Sequence, residues 1–257
     1  MKKTSFLLIA TLLIHDLGTT HAADGGQLSE TDKEFLTEHH NEERGLTARG
    51  LTEGQPMARN MLKLEWDEKI AESSKGWANR CKFEHDHDSG YGENLAVAGA
   101  FTDVVDNIET LINGVDEWYE EFHQYNYETG ECTFGECGHY TQSLWSTSFK
   151  IGCAYAECAF PDFFLPAEVD YGVLLVCRYN PRGNWLGVKP YIQANSMDEV
   201  ASECPGGFAA NSNNGLCEND GSATTPPYPN PSGDSDPIGL GGAPCRKSLE
   251  RLFKKFV

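Results

Sequence analysis

The sequence predicts an α+β fold in which a sheet is covered by helices, a three-layer arrangement, and three observations carry that expectation. Apolar residues recur at helical spacing through the first half of the chain. Runs that favour strands come late, without the regular alternation of a βαβ winding. Nine cysteines follow a segment that reads as an export leader, so disulfides are expected to brace the core.

Residues 1–22 read as a signal peptide, because Lys2 and Lys3 precede the apolar run Phe6 to Ile14 and Thr20-His21-Ala22 offers a small-residue cleavage site. That run is too short to span a bilayer, and no later stretch is long enough for a transmembrane segment. An extracellular, secreted protein is therefore expected, in a compartment where cysteines oxidise. The 20 basic and 39 acidic side chains become 18 and 38 once Lys2, Lys3 and Asp16 leave with the leader, a net charge of −20. Such a surface repels phosphate backbones and anionic lipid heads, which argues against nucleic acid as a partner.

The first helix is expected at Thr31-Asp32-Lys33-Glu34, a capping-box pattern, with Phe35, Leu36 and His39 continuing at helical spacing toward Arg44. A second fits Asp67 to Cys81, with Ile70, Ser74, Trp77 and Cys81 on one face. Thr102 to His123 forms a third helical region, with a turn expected at Asn113-Gly114. Strand character appears at Ile151 to Tyr155 and again from Tyr171 to Tyr179, where Val173, Leu174, Leu175 and Val176 make a β-favouring run. Residues 30–195 are long enough for one hydrophobic core.

Composition changes at Glu218. From there to Pro244 the chain is Gly, Pro, Ser, Asn and Asp with almost no large apolar residues, so residues 220–244 read as a flexible linker. In the tail, residues 245–257, Leu249, Leu252, Phe253 and Phe256 form a helical stripe with Arg251, Lys254 and Lys255 around it. This basic amphipathic segment has two open readings: a tail that folds back on the acidic core, or a membrane- or partner-binding helix.

Two segments concentrate the chemistry. Gly138-His139-Tyr140-Thr141-Gln142-Ser143-Leu144-Trp145 places a histidine among small, aromatic and amide residues, and Cys177-Arg178-Tyr179-Asn180-Pro181-Arg182-Gly183-Asn184 follows it on a cysteine-anchored strand. The chain here resembles the CAP superfamily, which comprises cysteine-rich secretory proteins, insect antigen 5 and plant pathogenesis-related proteins. The family's two signature segments correspond to Gly138–Trp145, which departs from the family at Ser143, and to Leu174–Trp185. Supporting matches are His40-Asn41-Glu42-Glu43-Arg44, Leu64-Glu65-Trp66-Asp67, Trp77-Ala78-Asn79-Arg80-Cys81, Gly92-Glu93-Asn94-Leu95 and Trp118-Tyr119-Glu120-Glu121. The resemblance implies an α-β-α sandwich over residues 30–195.

It further implies a cleft tetrad, His85, Glu93, Glu121 and His139. Two imidazoles can give Zn²⁺ or another divalent metal two nitrogen ligands, while the carboxylates hold the other ring nitrogens. With His85 and His139 as the only expected metal ligands, binding should be weak and exchangeable, completed by water or an acid. Glu120 and His87 are alternatives, since the register near Glu121 and within His85-Asp86-His87-Asp88 is not secured by sequence. A purely structural polar cluster is an equally open reading. If the cleft were catalytic, the same four residues would carry the reaction, with Ser143, Ser146 or Ser148 as hydroxyl or with a metal-bound water. No G-x-S-x-G or H-E-x-x-H motif is present, so a binding protein is favoured over a hydrolase.

The resemblance also implies disulfides Cys81–Cys158, Cys153–Cys177 and Cys132–Cys137, and a cysteine hinge over residues 196–219 reduced to the pair Cys204–Cys217. Cys245 is then left alone, either as a free thiol or as the link of a disulfide dimer. Expected ligands are an extracellular protein or a small lipid or sterol. For the lipid, the loop Ala159 to Pro166 offers Phe160, Phe163, Phe164 and Leu165, unless these rings fold onto the sandwich.

Overall fold

The computed structural model describes residues 26, 28–100, 108–159 and 171–223. The signal peptide, most of the linker, the basic tail with Cys245, and the aromatic loop from Phe160 onward lie outside the described residues. In chain order the elements are α1 (Glu30–Ala48), β1 (Met57–Ala58), β2 (Glu65–Trp66), α2 (Glu68–Ala78), β3 (Gly92–Ala100) and α3 (Ile108–Glu120), the last followed by a 3-10 turn at Glu121–His123. Then come β4 (Tyr125–Asn126), β5 (Glu131–Cys132), α4 (Gly138–Ser143), the long strands β6 (Lys150–Ala159) and β7 (Tyr171–Asn180), β8 (Gln193–Ala194) and the hairpin β9 (Phe208–Asn211) and β10 (Leu216–Asn219).

The central sheet has the order β2-β6-β7-β3; β2 runs parallel to β6, while β6, β7 and β3 are antiparallel neighbours. Alternate residues of β7 point to opposite faces. Val173, Leu175, Cys177 and Tyr179 pack with Leu36 of α1 and with Leu111, Val115 and Trp118 of α3. Leu174 and Val176 pack with Trp77 and Ala78 of α2. Both faces are covered, so the run Val173 to Val176 is apolar without alternation, and the α-β-α sandwich follows. Each buried Leu or Val contributes about 1.5–3 kcal/mol relative to exposure.

Several local expectations are corrected. The box that caps α1 is centred on Ser29 rather than Thr31: the Ser29 hydroxyl accepts from Asp32 N–H at 3.2 Å, and Asp32 accepts from Ser29 N–H at 2.9 Å. Leu28, just before it, is buried in the core and fixes the path into the helix. Helix α2 stops at Ala78, so Cys81 leaves its face; with φ of 51° it turns away to reach Cys158.

Helix α3 runs through Asn113-Gly114 without a turn. A Cβ at Gly114 would lie 3.0 Å from that of Ala96, so this glycine allows close approach of helix to sheet. Glu218 and Asn219, where the composition changes, still pair with Ala209 and Phe208 in the hairpin.

Four disulfides tie this frame: Cys81–Cys158, Cys132–Cys137, Cys153–Cys177 and Cys204–Cys217. Cys153 and Cys177 face each other across β6 and β7. No helix among the described residues is long and apolar enough to cross a membrane.

Candidate functional site

The site sits at the start of β3, an edge strand of the central sheet. Glu93 and Asn94 are consecutive, so their side chains leave the sheet on opposite faces. Glu93 Oε1 accepts from Asp86 N–H at 3.0 Å and lies 3.0 Å from His85 Nδ1. Its Oε2 accepts from Arg178 Nε at 2.9 Å, and Arg178 also donates to Asp86 Oδ2 at 2.7 Å and to the Ser73 carbonyl at 3.0 Å. Arg178 and Glu93 are opposite each other in the β3/β7 register and both are deeply buried. A buried guanidinium thus compensates a buried carboxylate, which in turn orients a half-exposed imidazole.

On the other face, His139 is the second residue of α4. Glu121 Oε1 lies 2.7 Å from His139 Nδ1, while Glu121 Oε2 accepts from the backbone N–H of His139 at 3.0 Å and of Tyr140 at 3.1 Å. Cys137, the residue before α4, makes no side-chain cap, so Glu121 supplies one from the 3-10 turn. Burial opposes charge on the His139 ring, yet the hydrogen bond and charge of Glu121, with Glu136 adding, raise its pKa above the ordinary value. Trp118 stacks on the same ring with centroids 6.0 Å apart.

Asn94, next to Glu93 in the chain, ties β3 to the His139 half. Its amide donates to the His139 carbonyl at 3.0 Å, to Ser143 Oγ at 3.0 Å and to Tyr179 OH at 3.3 Å. Four further features shape this half. Tyr179 OH donates to His40 Nε2 at 3.0 Å; His40 Nδ1 donates to the Leu36 carbonyl at 2.8 Å, and burial lowers the His40 pKa to about 4. Arg44 is fully buried and donates to the carbonyls of Leu62, Ser143, Trp145 and Ser148 at 2.6 to 3.1 Å, with burial lowering its pKa to about 9. Arg44 thereby pins the strap after α4 to α1. Gly92 lets α4 approach, since a side chain there would run into Gln142.

The four tetrad residues therefore form two His–Glu pairs. Among the described residues, no three of their ligand atoms gather within 4.8 Å. Glu120 lies 3.6 Å from His123 and makes no contact with His139, and His85, rather than His87, meets Glu93. Ser143 bonds Asn94, Ser146 Oγ accepts from Asn60 at 3.0 Å, and Ser148 donates to the Pro181 carbonyl at 2.7 Å; none of these hydroxyls bonds the His139 ring. A groove of about 530 Å³, lined by Lys33, Thr37, Lys63, Glu65 and Trp66, contains no tetrad residue.

Arg178, Arg44 and His40 have no role in the sequence-based expectation, although all three lie within its motifs; a charged residue inside an apolar strand or helix face is the available signal for the two arginines. A further group, His39, Glu43 and Asp116, brings one ligand atom from each residue within 4.8 Å of the others and has the donor set of a metal site.

A disulfide-braced α-β-α sandwich with paired His–Glu groups at one sheet edge is the architecture of a CAP module. The sequence matches the model of the cysteine-rich secretory protein family (CAP) over residues 37–179, and the chain belongs to that family. It is 36% identical over 196 residues to peptidase inhibitor 16 of Bos taurus, covering 75% of this chain and 37% of that protein. It is 31% identical over 196 residues to cysteine-rich secretory protein 3 of Equus caballus, covering 74% and 70%. Among solved structures, that of NaASP2 with Zn²⁺ shares the fold, with a TM-score of 0.59, 23% identity, and coverage of 77% of this chain and 98% of that one. The chain thus spans a little over a third of the bovine peptidase inhibitor 16.

Proposed function

We propose that the protein acts outside the cell as a binding module that holds a divalent metal, Zn²⁺ first, between His85 and His139, the two imidazoles reaching it from either side of strand β3. The observation that carries this is the matched use of Nδ1: each ring gives that nitrogen to a glutamate, leaving Nε2 for another ligand, and a carboxylate partner raises the basicity of an imidazole ligand. With two protein nitrogens the ion binds weakly and exchangeably, its shell completed by water or by an acid of the ligand. When bound, it would supply a Lewis-acidic contact for a carbonyl or carboxylate; Glu93, Glu121, Arg178 and Trp118 hold the rings in place.

The organic ligand is proposed to be a small lipid or sterol, or an extracellular protein. Hydrolysis through a serine is the weaker reading, because the three nearby serine hydroxyls are engaged away from His139. Calorimetric titration of metal-free protein with Zn²⁺ tests the proposal. Tenfold or greater weakening in both His85→Ala and His139→Ala supports it, whereas titration curves unchanged by both substitutions refute it. Native mass spectrometry of the purified protein reads retained lipid, and a peptide library tests for cleavage.

A further inference from the structure

Helix α1 carries a second concentration of ligand chemistry that the cleft does not use. His39 and Glu43 stand four residues apart and so share one helix face, which is turned toward α3 and Asp116. His39 Nε2 is 2.7 Å from Asp116 Oδ1 and 3.8 Å from Glu43 Oε1. Glu43 is 4% exposed, and neither of its carboxylate oxygens has a hydrogen-bond partner. A buried carboxylate is expected to be paired, hydrogen-bonded or bound to a metal. Its charged neighbours deepen the problem, since Asp116, Glu42 and Glu120 are all acidic.

From this juxtaposition we infer that His39, Glu43 and Asp116 form a second divalent-cation site, of the Zn²⁺ class, clasping α1 to α3. The donor set decides the class. One imidazole nitrogen with two carboxylate oxygens suits Zn²⁺ or Co²⁺, whereas Ca²⁺ takes six to eight oxygens and Mg²⁺ keeps an octahedral shell rich in water. The spacing fits as well. Ligands about 2.0 Å from a tetrahedral ion lie roughly 3.3 Å from one another, between the two distances to His39 Nε2. A small opening of the His39–Asp116 contact and a small closure toward Glu43 would seat the ion. Asp116 is half-exposed, so the fourth position opens to solvent and the ion exchanges.

The site is independent of the cleft, and the test separates them. Full-length, metal-free His85→Ala/His139→Ala protein is titrated with Zn²⁺ by calorimetry and with Co²⁺ by visible absorption. One equivalent should bind, with the absorption of a tetrahedral centre. Adding Asp116→Asn, an exposed and structurally mild change, or Glu43→Gln, nearly isosteric, should weaken binding at least tenfold. A circular-dichroism spectrum matching the parent confirms that each variant is folded, and Asp116→Asn decides should Glu43→Gln unfold. Absence of binding to the double-alanine protein overturns the inference, as does binding unchanged by Asp116→Asn together with His39→Ala. Loss of the cleft ion alone would leave this site standing.

Discussion

Glu121 holds His139 at two points: one carboxylate oxygen meets the ring at 2.7 Å and the other takes the backbone N–H of the same residue at 3.0 Å. One side chain both caps a six-residue helix and sets the direction of its histidine. A short helix is marginal by itself, so the cap and the orientation stand or fall together.

Glu121→Gln should therefore lower the His139 pKa and destabilise the metal-free fold by about 1–3 kcal/mol. Because the folded pKa of His139 is raised, the part of the loss due to its charge is full at pH below about 6.5 and fades as pH rises through the folded value. The capping part persists at alkaline pH. Ring NMR titration and urea unfolding at several pH values, with chelator present, check both parts.

His40 should remain neutral well into acid. Burial lowers its pKa to about 4, so between the ordinary value of 6.5 and 4 the unfolded chain takes up a proton that the folded one refuses. Stability from this group is complete above 6.5 and falls with acid, by up to about 1.4 kcal/mol per pH unit. In metal-free protein Glu43, raised by burial and by Asp116, Glu42 and Glu120, works in the opposite sense. The ring signal of His40 isolates the effect, and a charged ring at pH 5 would refute it.

Arg44→Met should cost about 3–5 kcal/mol in urea unfolding, since it strips the donors from several carbonyls in a dry interior. Arg44→Lys keeps the charge but not the planar fork, and should also be destabilising.

Replacing both Cys81 and Cys158 by serine should lower stability by about 2–5 kcal/mol, because that bridge closes a loop with a sequence separation of 77. The effect should appear in thermal unfolding under non-reducing conditions and be absent once the parent is reduced.

The layered fold was legible wherever one residue pattern had one physical cause. Strand β7 announced itself because both its faces are buried, and α2 because Ile70, Ser74 and Trp77 all lie on its buried side. Strand β3 gave no such signal: Gly92 and Gly99 with its several alanines lower strand propensity, and pairing with β7 decides its conformation. Gly114 was read as a turn because close packing against Ala96 leaves no mark in local sequence.

For the site, motif resemblance pointed to the histidines and glutamates, and the structure joins them as pairs. Arg178 and Arg44 escaped notice for another reason. Their partners include backbone carbonyls far away in the chain, and backbone acceptors have no sequence signature.

The neighbours Glu93 and Asn94 make the pitch of a single strand the ruler for both histidines. Inserting or deleting one residue before them in β3 would interchange their faces, turning an acid toward His139 and an amide toward His85 and Arg178, so both ends of the cleft would miswire at once.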